Sequence, residues 1–289
     1  MNPLSTKYVV ITPVRDEEAY LPLTIDSMAN QIVRPYRWVL VNDGSTDRTG
    51  AIIDEAAARY PFIRTVHRTN RGFRKAGGGV VDAFNDGYRE VEGEAWDFVV
   101  KLDGDLSFAP DYFLRSFEYF EKEPKLGIAG GSIYHMVGEA KVLEACPKTH
   151  VRGATKIYRT ACWRDIGGFW PAPGWDTMDE VKAQRLGWKT RTFDDLHLLH
   201  HRYTGSADGF WRSSIKNGRA NYICGYHPLF MICKCLGRLP RKPYVLGAVG
   251  LFWGFFSGYL KSVPQVDDKE TIQFLRRQQL WRLTGHQSG

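Results

Sequence analysis

Four short strand-like runs punctuate the first 105 residues, at 8–11, 38–41, 63–66 and 98–102, with stretches of helical spacing between them. The runs at 8–11, 38–41 and 98–102 are short and almost wholly apolar and read as strands covered on both faces, as a parallel sheet requires. The first intervening helix is marked by Leu21, Leu23, Ile25 and Met28, the second spans roughly 48–60 with an alanine-rich centre, and the third runs from about 80 to 91. Strand and helix alternating at this spacing predict an α/β fold. Ligands of such sheets bind beyond the carboxyl ends of the strands. Three of the four runs end there in polar clusters: Thr12-Pro-Val-Arg-Asp-Glu17, Asn42-Asp-Gly-Ser45 and Asp103-Gly-Asp105.

The last cluster carries the clearest chemistry. Side chains two apart on extended chain share a face, so Asp103 and Asp105 can converge on one hard cation. Mg²⁺ or Mn²⁺ bound to a diphosphate needs only one or two carboxylates, the rest of its shell being phosphate and water. A plain Asp-Gly turn is the competing reading. A dinucleotide-binding sheet would need GxGxxG straight after a strand. The one glycine cluster, Gly77-Gly-Gly79, follows Arg-Lys and lacks that spacing, and no phosphate-binding loop of the GxxxxGK[ST] type occurs.

With 43% apolar and 25% charged residues the chain is ordinary globular material. Residues 1–6 are too short and polar for a signal peptide. Five cysteines without metal spacing predict a reduced, cytoplasmic protein. The net charge of +7 is uneven: residues 1–201 sum to −2, residues 202–243 to +7 and residues 244–289 to +2. A basic C-terminal third beside an apolar run favours an anionic membrane surface over a nucleic acid as partner.

The series Thr12-Pro-Val-Arg-Asp-Glu-Glu18, Val41-Asn-Asp-Gly-Ser-Thr-Asp47, Asn70-Arg-Gly72 and Leu102-Asp-Gly-Asp105 resembles the family 2 glycosyltransferases of the GT-A fold, over residues 7–200. The resemblance implies a mixed, mostly parallel sheet flanked by helices: a nucleotide-sugar-binding half at 1–106, an acceptor half at 107–205 and a helical extension at 206–289. It implies a nucleotide-diphosphate sugar donor, UDP-linked by preference. Donor contacts fall on Thr12, Pro13, Val14, Arg15, Glu17, Asp43, Gly44, Ser45, Arg71, Lys75, Asp103, Gly104, Asp105 and Arg202. Asp43 would accept a hydrogen bond from the base, as a carboxylate can from a ring N–H. Asp103, Asp105 and a histidine, His200 ahead of His201, would serve Mn²⁺ or Mg²⁺. Asp16 stands where the family more often has Asn.

In the acceptor half a Glu-Asp pair normally opens a helix, and its Asp is the general base. Counting back from Gly187-Trp188 places that Asp at Asp176, with Trp175 in place of Glu. Asp179 and Glu180, one turn on, are alternates, and Asp176 with Asp179 also resembles an N-cap and capping box. A helix N-terminus favours an ionised carboxylate, so a base there works by position.

The C-terminal third predicts a helix over 210–222 with Arg212, Lys216 and Arg219 recurring on it, and a second opening at Pro228. Then Arg238, Arg241 and Lys242 precede the uncharged run 244–260, at the short end for a membrane span. Gly250, Gly254 and Gly258 form overlapping GxxxG units that permit close helix packing. A packed helix, an interfacial helix and a short span compete; an interfacial or re-entrant helix pair on the cytoplasmic face is preferred. The tail, 270–283, is expected to dock back through Phe274, Leu275, Leu280 and Trp281. The expected activity is metal-dependent, inverting transfer of a sugar to a hydroxyl of a lipid-linked or cell-surface glycan. The alternatives are a polyprenyl-phosphate glycosyl synthase and a catalytically silent binding subunit.

Overall fold

A computed structural model describes residues 3–72, 78–144, 146–202, 209–240 and 244–285. Its centre is a nine-stranded mixed sheet: β1 (Tyr8–Val14), β2 (Arg37–Asn42), β3 (Ile63–His67), β4 (Phe98–Leu102), β5 (Leu106–Phe108), β6 (Leu126–Val137), β7 (Ala140–Leu143), β8 (Thr155–Arg159) and β9 (Lys189–His200). The strand order is β3-β2-β1-β4-β8-β6-β9-β5, with β7 a hairpin partner of β6. The first four strands are mutually parallel, and β4 then meets β8 antiparallel, with Lys101 opposite Lys156.

Helices α1 (Leu21–Ala29), α2 (Thr49–Arg59), α3 (Gly78–Arg89) and α4 (Tyr112–Lys122) follow strands of the first half. Next come α5 (Thr160–Ile166) and α6 (Trp175–Arg185), then α7 (Phe210–Ile223), α8 (Pro228–Leu236), α9 (Tyr244–Leu260) and α10 (Lys269–Leu283). Two apolar layers sandwich the sheet. One contains Tyr8, Val10, Trp38, Phe98 and Phe113; the other contains Val9, Ile11, Val39, Phe84 and Trp163. The alternation of Val9 and Val10 between layers is the period-2 geometry of a strand covered on both sides.

The C-terminal helices share a third core with α6, in which Met178 and Val181 meet Tyr222, Met231, Leu251, Phe255 and Leu275. The glycine face of α9 is spent inside the chain: a side chain at Gly254 would lie 2.2 Å from the Ile215 carbonyl of α7, and one at Gly258 2.3 Å from the Tyr222 ring. Among the described residues no helix is long and apolar enough to cross a membrane.

Three expectations are corrected. The tail docks through Leu275, but Leu280 and Trp281 stay 36% and 47% exposed, because the buried stripe of α10 runs through Thr271, Ile272, Leu275 and Gln279. The cap of α6 is Gly174, whose φ of +89° few other residues could adopt, and not Asp176. Asp179 makes no capping box because its carboxylate is taken up in the interior. Residues 203–208, whose polar Thr204-Gly-Ser206 stretch beside Arg202 offers in sequence a loop to close over a diphosphate, lie outside the described residues, as do Lys75, Arg241 and Lys242.

Candidate active site

Backbone register brings the ends of β1, β2 and β4 to one edge: Val14 pairs with Asn42, and Ile11 with Lys101 one turn of chain before Asp103. The connections beyond them interlock. Ser45 Oγ accepts the Asp16 amide at 3.0 Å, Asp16 Oδ1 accepts the Thr46 amide at 2.8 Å, and Thr49 Oγ1 accepts the Glu17 amide at 2.8 Å. Asp16 has φ +55°, a left-handed conformation that Asn and Asp tolerate best among side-chain-bearing residues. That explains why either residue serves there. Gly44 is also left-handed, and a Cβ on it would sit 2.5 Å from the Asn70 backbone. A Cβ on Gly104 would lie 2.4 Å from Val14, so the Asp-Gly-Asp turn is seated directly against the end of β1.

Apart from Lys75, which lies outside the described residues, the expected donor residues take the following places. Thr12 is buried and its hydroxyl accepts from the Trp38 indole at 2.9 Å, so its side chain supports the strand. Pro13 is half-buried and Val14 is buried beside Gly104. Arg15 donates to Asn70 Oδ1 at 3.0 Å. Asp43 is gripped by two guanidiniums: Arg71 donates to Oδ2 at 2.6 Å and Arg68 to Oδ1. Arg68 also holds Asp86 at 2.7 Å. Arg202 crosses from beyond β9 to Glu17 at 2.8 Å and to the Asp16 carbonyl at 3.2 Å, with its guanidinium over the Tyr20 ring.

At the end of β4, Asp103 pairs with Lys101, and Asp105 Oδ2 lies 3.2 Å from His200 Nε2. His200 Nδ1 reaches Glu144 at 3.1 Å, and Glu144 also holds Arg152. Burial raises the Asp103 carboxyl; Lys101 opposes this and Asp105 reinforces it. Burial works against a charge on His200, but its hydrogen bonds to Asp105 and Glu144 and the field of the two aspartates push it up to about 10. His201 turns away to Ser107 at 2.7 Å and stacks on Tyr20. Among the described residues no three His, Cys, Asp or Glu gather into a ready-made metal cage. A diphosphate-bound cation needs no such cage. The buried Asp105 Oδ1 has no hydrogen-bond partner, and an orphaned carboxylate oxygen beside Asp103 fits a hard cation.

Across the sheet, Lys101 also donates to the Gly153 carbonyl at 2.6 Å, and the Asp176 carboxylate lies against Gly153, 3.2 Å from where a Cβ would stand. Asp176 is half-exposed. Asp179 and Glu180 are buried around the fully buried Lys156: its ammonium donates to both Asp179 oxygens at 2.9 Å, to the Asp176 carbonyl at 2.5 Å, and lies 2.8 Å from Glu180. Glu180 further accepts from the Val151 amide at 2.7 Å and meets His150 at 2.8 Å. Burial pushes Asp179 up to about 6, with Lys156 opposing. Sequence reasoning missed Arg68, Glu144, Lys101 and Lys156. Lys101 left a signal, since it interrupts an otherwise apolar strand and buried lysines are rare unless paired; Lys156, in Thr155-Lys-Ile-Tyr-Arg159, left none.

A family model described as glycosyl transferase family 2 matches residues 9–145. Residues 9–145 are thus similar to glycosyl transferase family 2. The uncharacterized glycosyltransferase EpsJ of Bacillus subtilis (strain 168) is 33% identical over 125 residues, 43% of this chain and 33% of that protein. The undecaprenyl-phosphate 4-deoxy-4-formamido-L-arabinose transferase of Pectobacterium carotovorum subsp. carotovorum (strain PC1) is 33% identical over 113 residues, 38% of this chain and 32% of that one. The matches thus span about a third of the length of these relatives. Among solved structures, a mannosyltransferase from Pyrobaculum calidifontis in complex with GDP-Man and Mn²⁺ superposes with a TM-score of 0.59 at 15% identity, covering 97% of this chain and 89% of that one. At that identity the likeness shows the fold, which is GT-A.

Proposed function

We propose that the chain is a metal-dependent, inverting glycosyltransferase that moves a sugar from a nucleotide-diphosphate donor to a hydroxyl of a lipid-linked or cell-surface glycan. One observation carries the reading: Lys101 ties the carboxylate turn Asp103-Gly-Asp105 through Gly153 to the half-exposed Asp176. A site for a departing diphosphate and a carboxylate able to take a proton are thereby held against each other. Asp103 and Asp105, with His200 beside them, would hold Mn²⁺ or Mg²⁺, which when bound supplies Lewis-acid neutralisation of the leaving group. The mannosyltransferase neighbour carries Mn²⁺ and GDP-Man together, which supports that pairing.

The acceptor O–H gives its proton to Asp176 as its oxygen bonds to the anomeric carbon. The bond from that carbon to the donor phosphate breaks on the opposite face, and the nucleoside diphosphate leaves with the electron pair. Arg202, anchored on Glu17, is placed to close over the diphosphate, its fork suiting phosphate oxygens. Asp43, Arg68 and Arg71 form the charged wall next to the base, with uridine preferred over guanosine. Asp179 and Glu180 are engaged by Lys156, which favours Asp176 as the base. We place the protein on the inner face of the cell membrane, on the ground that α8 and α9 expose a broad apolar surface.

A panel of nucleotide sugars with Mn²⁺ tests this reading by donor hydrolysis and transfer. Activity on one donor is expected to disappear on chelation and in Asp103→Ala. Asp176→Asn is expected to cost about 10²–10⁴ in kcat for a hydroxyl acceptor, with Asp179→Asn acting on stability instead. Full transfer by Asp176→Asn would instead favour a polyprenyl-phosphate acceptor, already an anion. Such an acceptor has a precedent in the name of the Pectobacterium relative.

A further inference from the structure

A cavity of about 610 Å³ opens between α6 and the C-terminal helices, with Asp176 on its wall. That volume is in the range of sites for small organic ligands. Its lining is polar on two sides. Asn217 and Asn221, four apart on α7, present amides, while Lys234 of α8, Arg238 one turn further and Arg282 of α10 contribute three cations. Among the described residues none of the three pairs with a carboxylate; Lys234 and Arg238 rest against the rings of Tyr226 and Phe210. Glu180, the other acidic wall residue, is held by His150, the Val151 amide and Lys156. Three cations with no carboxylate partner among the described residues, in a concavity whose acidic wall residues are Asp176 and Glu180, suit a bound anion. Arg238, expected from its position to flank a membrane helix, instead lines this cavity.

The opposite side of α8 is apolar. Cys235, Leu236 and Leu239 form a groove with Ala248, Val249 and Phe252 of α9. A molecule with a phosphate in the cavity could therefore lay an apolar tail across α8 without leaving the protein surface.

We propose that this cavity is the acceptor site, binding a phosphate- or diphosphate-linked saccharide with its phosphate on Lys234, Arg238 and Arg282 and its attacking hydroxyl toward Asp176. The proposal rests on the reading of Asp176 as base, and it assigns the acceptor class to residues outside the donor edge. The phosphate can belong to a lipid carrier or to a soluble saccharide phosphate.

The test uses the full chain pre-saturated with nucleoside diphosphate and Mn²⁺, so that the donor edge is filled, and titrates geranyl phosphate and glucose 1-phosphate by calorimetry. One-to-one binding is expected, weakened at least tenfold by Lys234→Ala and by Arg238→Ala and retained in Lys234→Arg, with the variants' folding checked by circular dichroism and Tm. Tighter binding of geranyl phosphate identifies a lipid-linked source; equal binding identifies a soluble one. Absence of binding of both probes to nucleotide-saturated wild type, or equal binding by wild type and both alanine variants, overturns the proposal. Failure of the nucleotide and Mn²⁺ themselves to bind would instead remove the donor reading, and phosphate titration of the nucleotide-free chain and the same variants would still judge the cavity.

Discussion

Lys101 and Lys156 face each other across the antiparallel pair β4–β8, an arrangement in which like charges repel. Each survives because its own carboxylates neutralise it: Asp103 for Lys101, and Asp179 with Glu180 for Lys156. The Trp175 ring lies 5.7 Å from both ammonium groups and offers them its electron-rich face. That gives a physical reason for Trp where the family usually has Glu: the acidic neighbour is supplied one turn later, from below. Removing one partner of a buried ion pair costs about 3–5 kcal/mol because the other charge is left uncompensated. Lys156→Met is therefore expected to lower unfolding free energy by about that amount in urea titrations. Adding Asp179→Asn should recover part of it; a double variant as unstable as the single one would mean that packing, not charge, is at stake. Lys101 was visible in the sequence as the polar interruption of an apolar strand, and Lys156, in the mixed strand Thr155–Arg159, was not. Of the acidic partners, Asp103 stands two residues from Lys101 and was in plain view, whereas Asp179 lies 23 residues from Lys156 and, with Glu180, reaches it only through the packing of α6.

At the level of elements, the parallel half was readable because β1, β2 and β4 are short apolar runs and helices separate the successive strands. The second half was harder. The pairings of β6 with both β8 and β9, and of β5 with β9, carry no local signature, since nothing in a strand's sequence names a partner 60 residues away. The C-terminal helices fell between these cases. Gly250, Gly254 and Gly258 announced a close contact, and the structure supplies α7 as its partner, through Ser214, Ile215 and Tyr222. The contact is backbone on backbone at Gly254, where an added Cβ meets the Ile215 carbonyl at 2.2 Å. At Gly247 the Cβ would instead approach the Arg238 side chain at 3.0 Å and the Phe210 ring at 3.1 Å, of which the arginine can move. Gly254→Ala is thus expected to cost about 1–3 kcal/mol by overpacking, and Gly247→Ala clearly less, as read from the two Tm values. Equal losses would show that α7 and α9 can slide apart.

On the scale of the whole molecule, packing α9 on α7 spends its small residues and, Leu251 and Phe255 aside, leaves most of its large ones outward. Leu246, Trp253 and Leu260 are 63%, 53% and 76% exposed, and Leu229, Ile232 and Leu236 of α8 continue the same apolar character. Patches of this extent mark surfaces that meet an apolar partner. With no helix among the described residues able to span a bilayer, the geometry suits a pair of helices lying in the headgroup region, apolar side inward. The basic residues 202–243 add attraction to anionic lipid, but Arg238 faces the cavity, so the apolar side chains should carry more of the binding than the charge run suggests. Burying a Leu or Phe side chain contributes about 1.5–3 kcal/mol, and each 1.4 kcal/mol is about a factor of ten in partitioning. Leu246→Ser with Phe252→Ser is therefore expected to weaken flotation with anionic liposomes by at least about a hundredfold, while high salt removes only a smaller share. Flotation unchanged in the double variant but abolished by salt would make the association electrostatic and overturn the interfacial reading of α8 and α9.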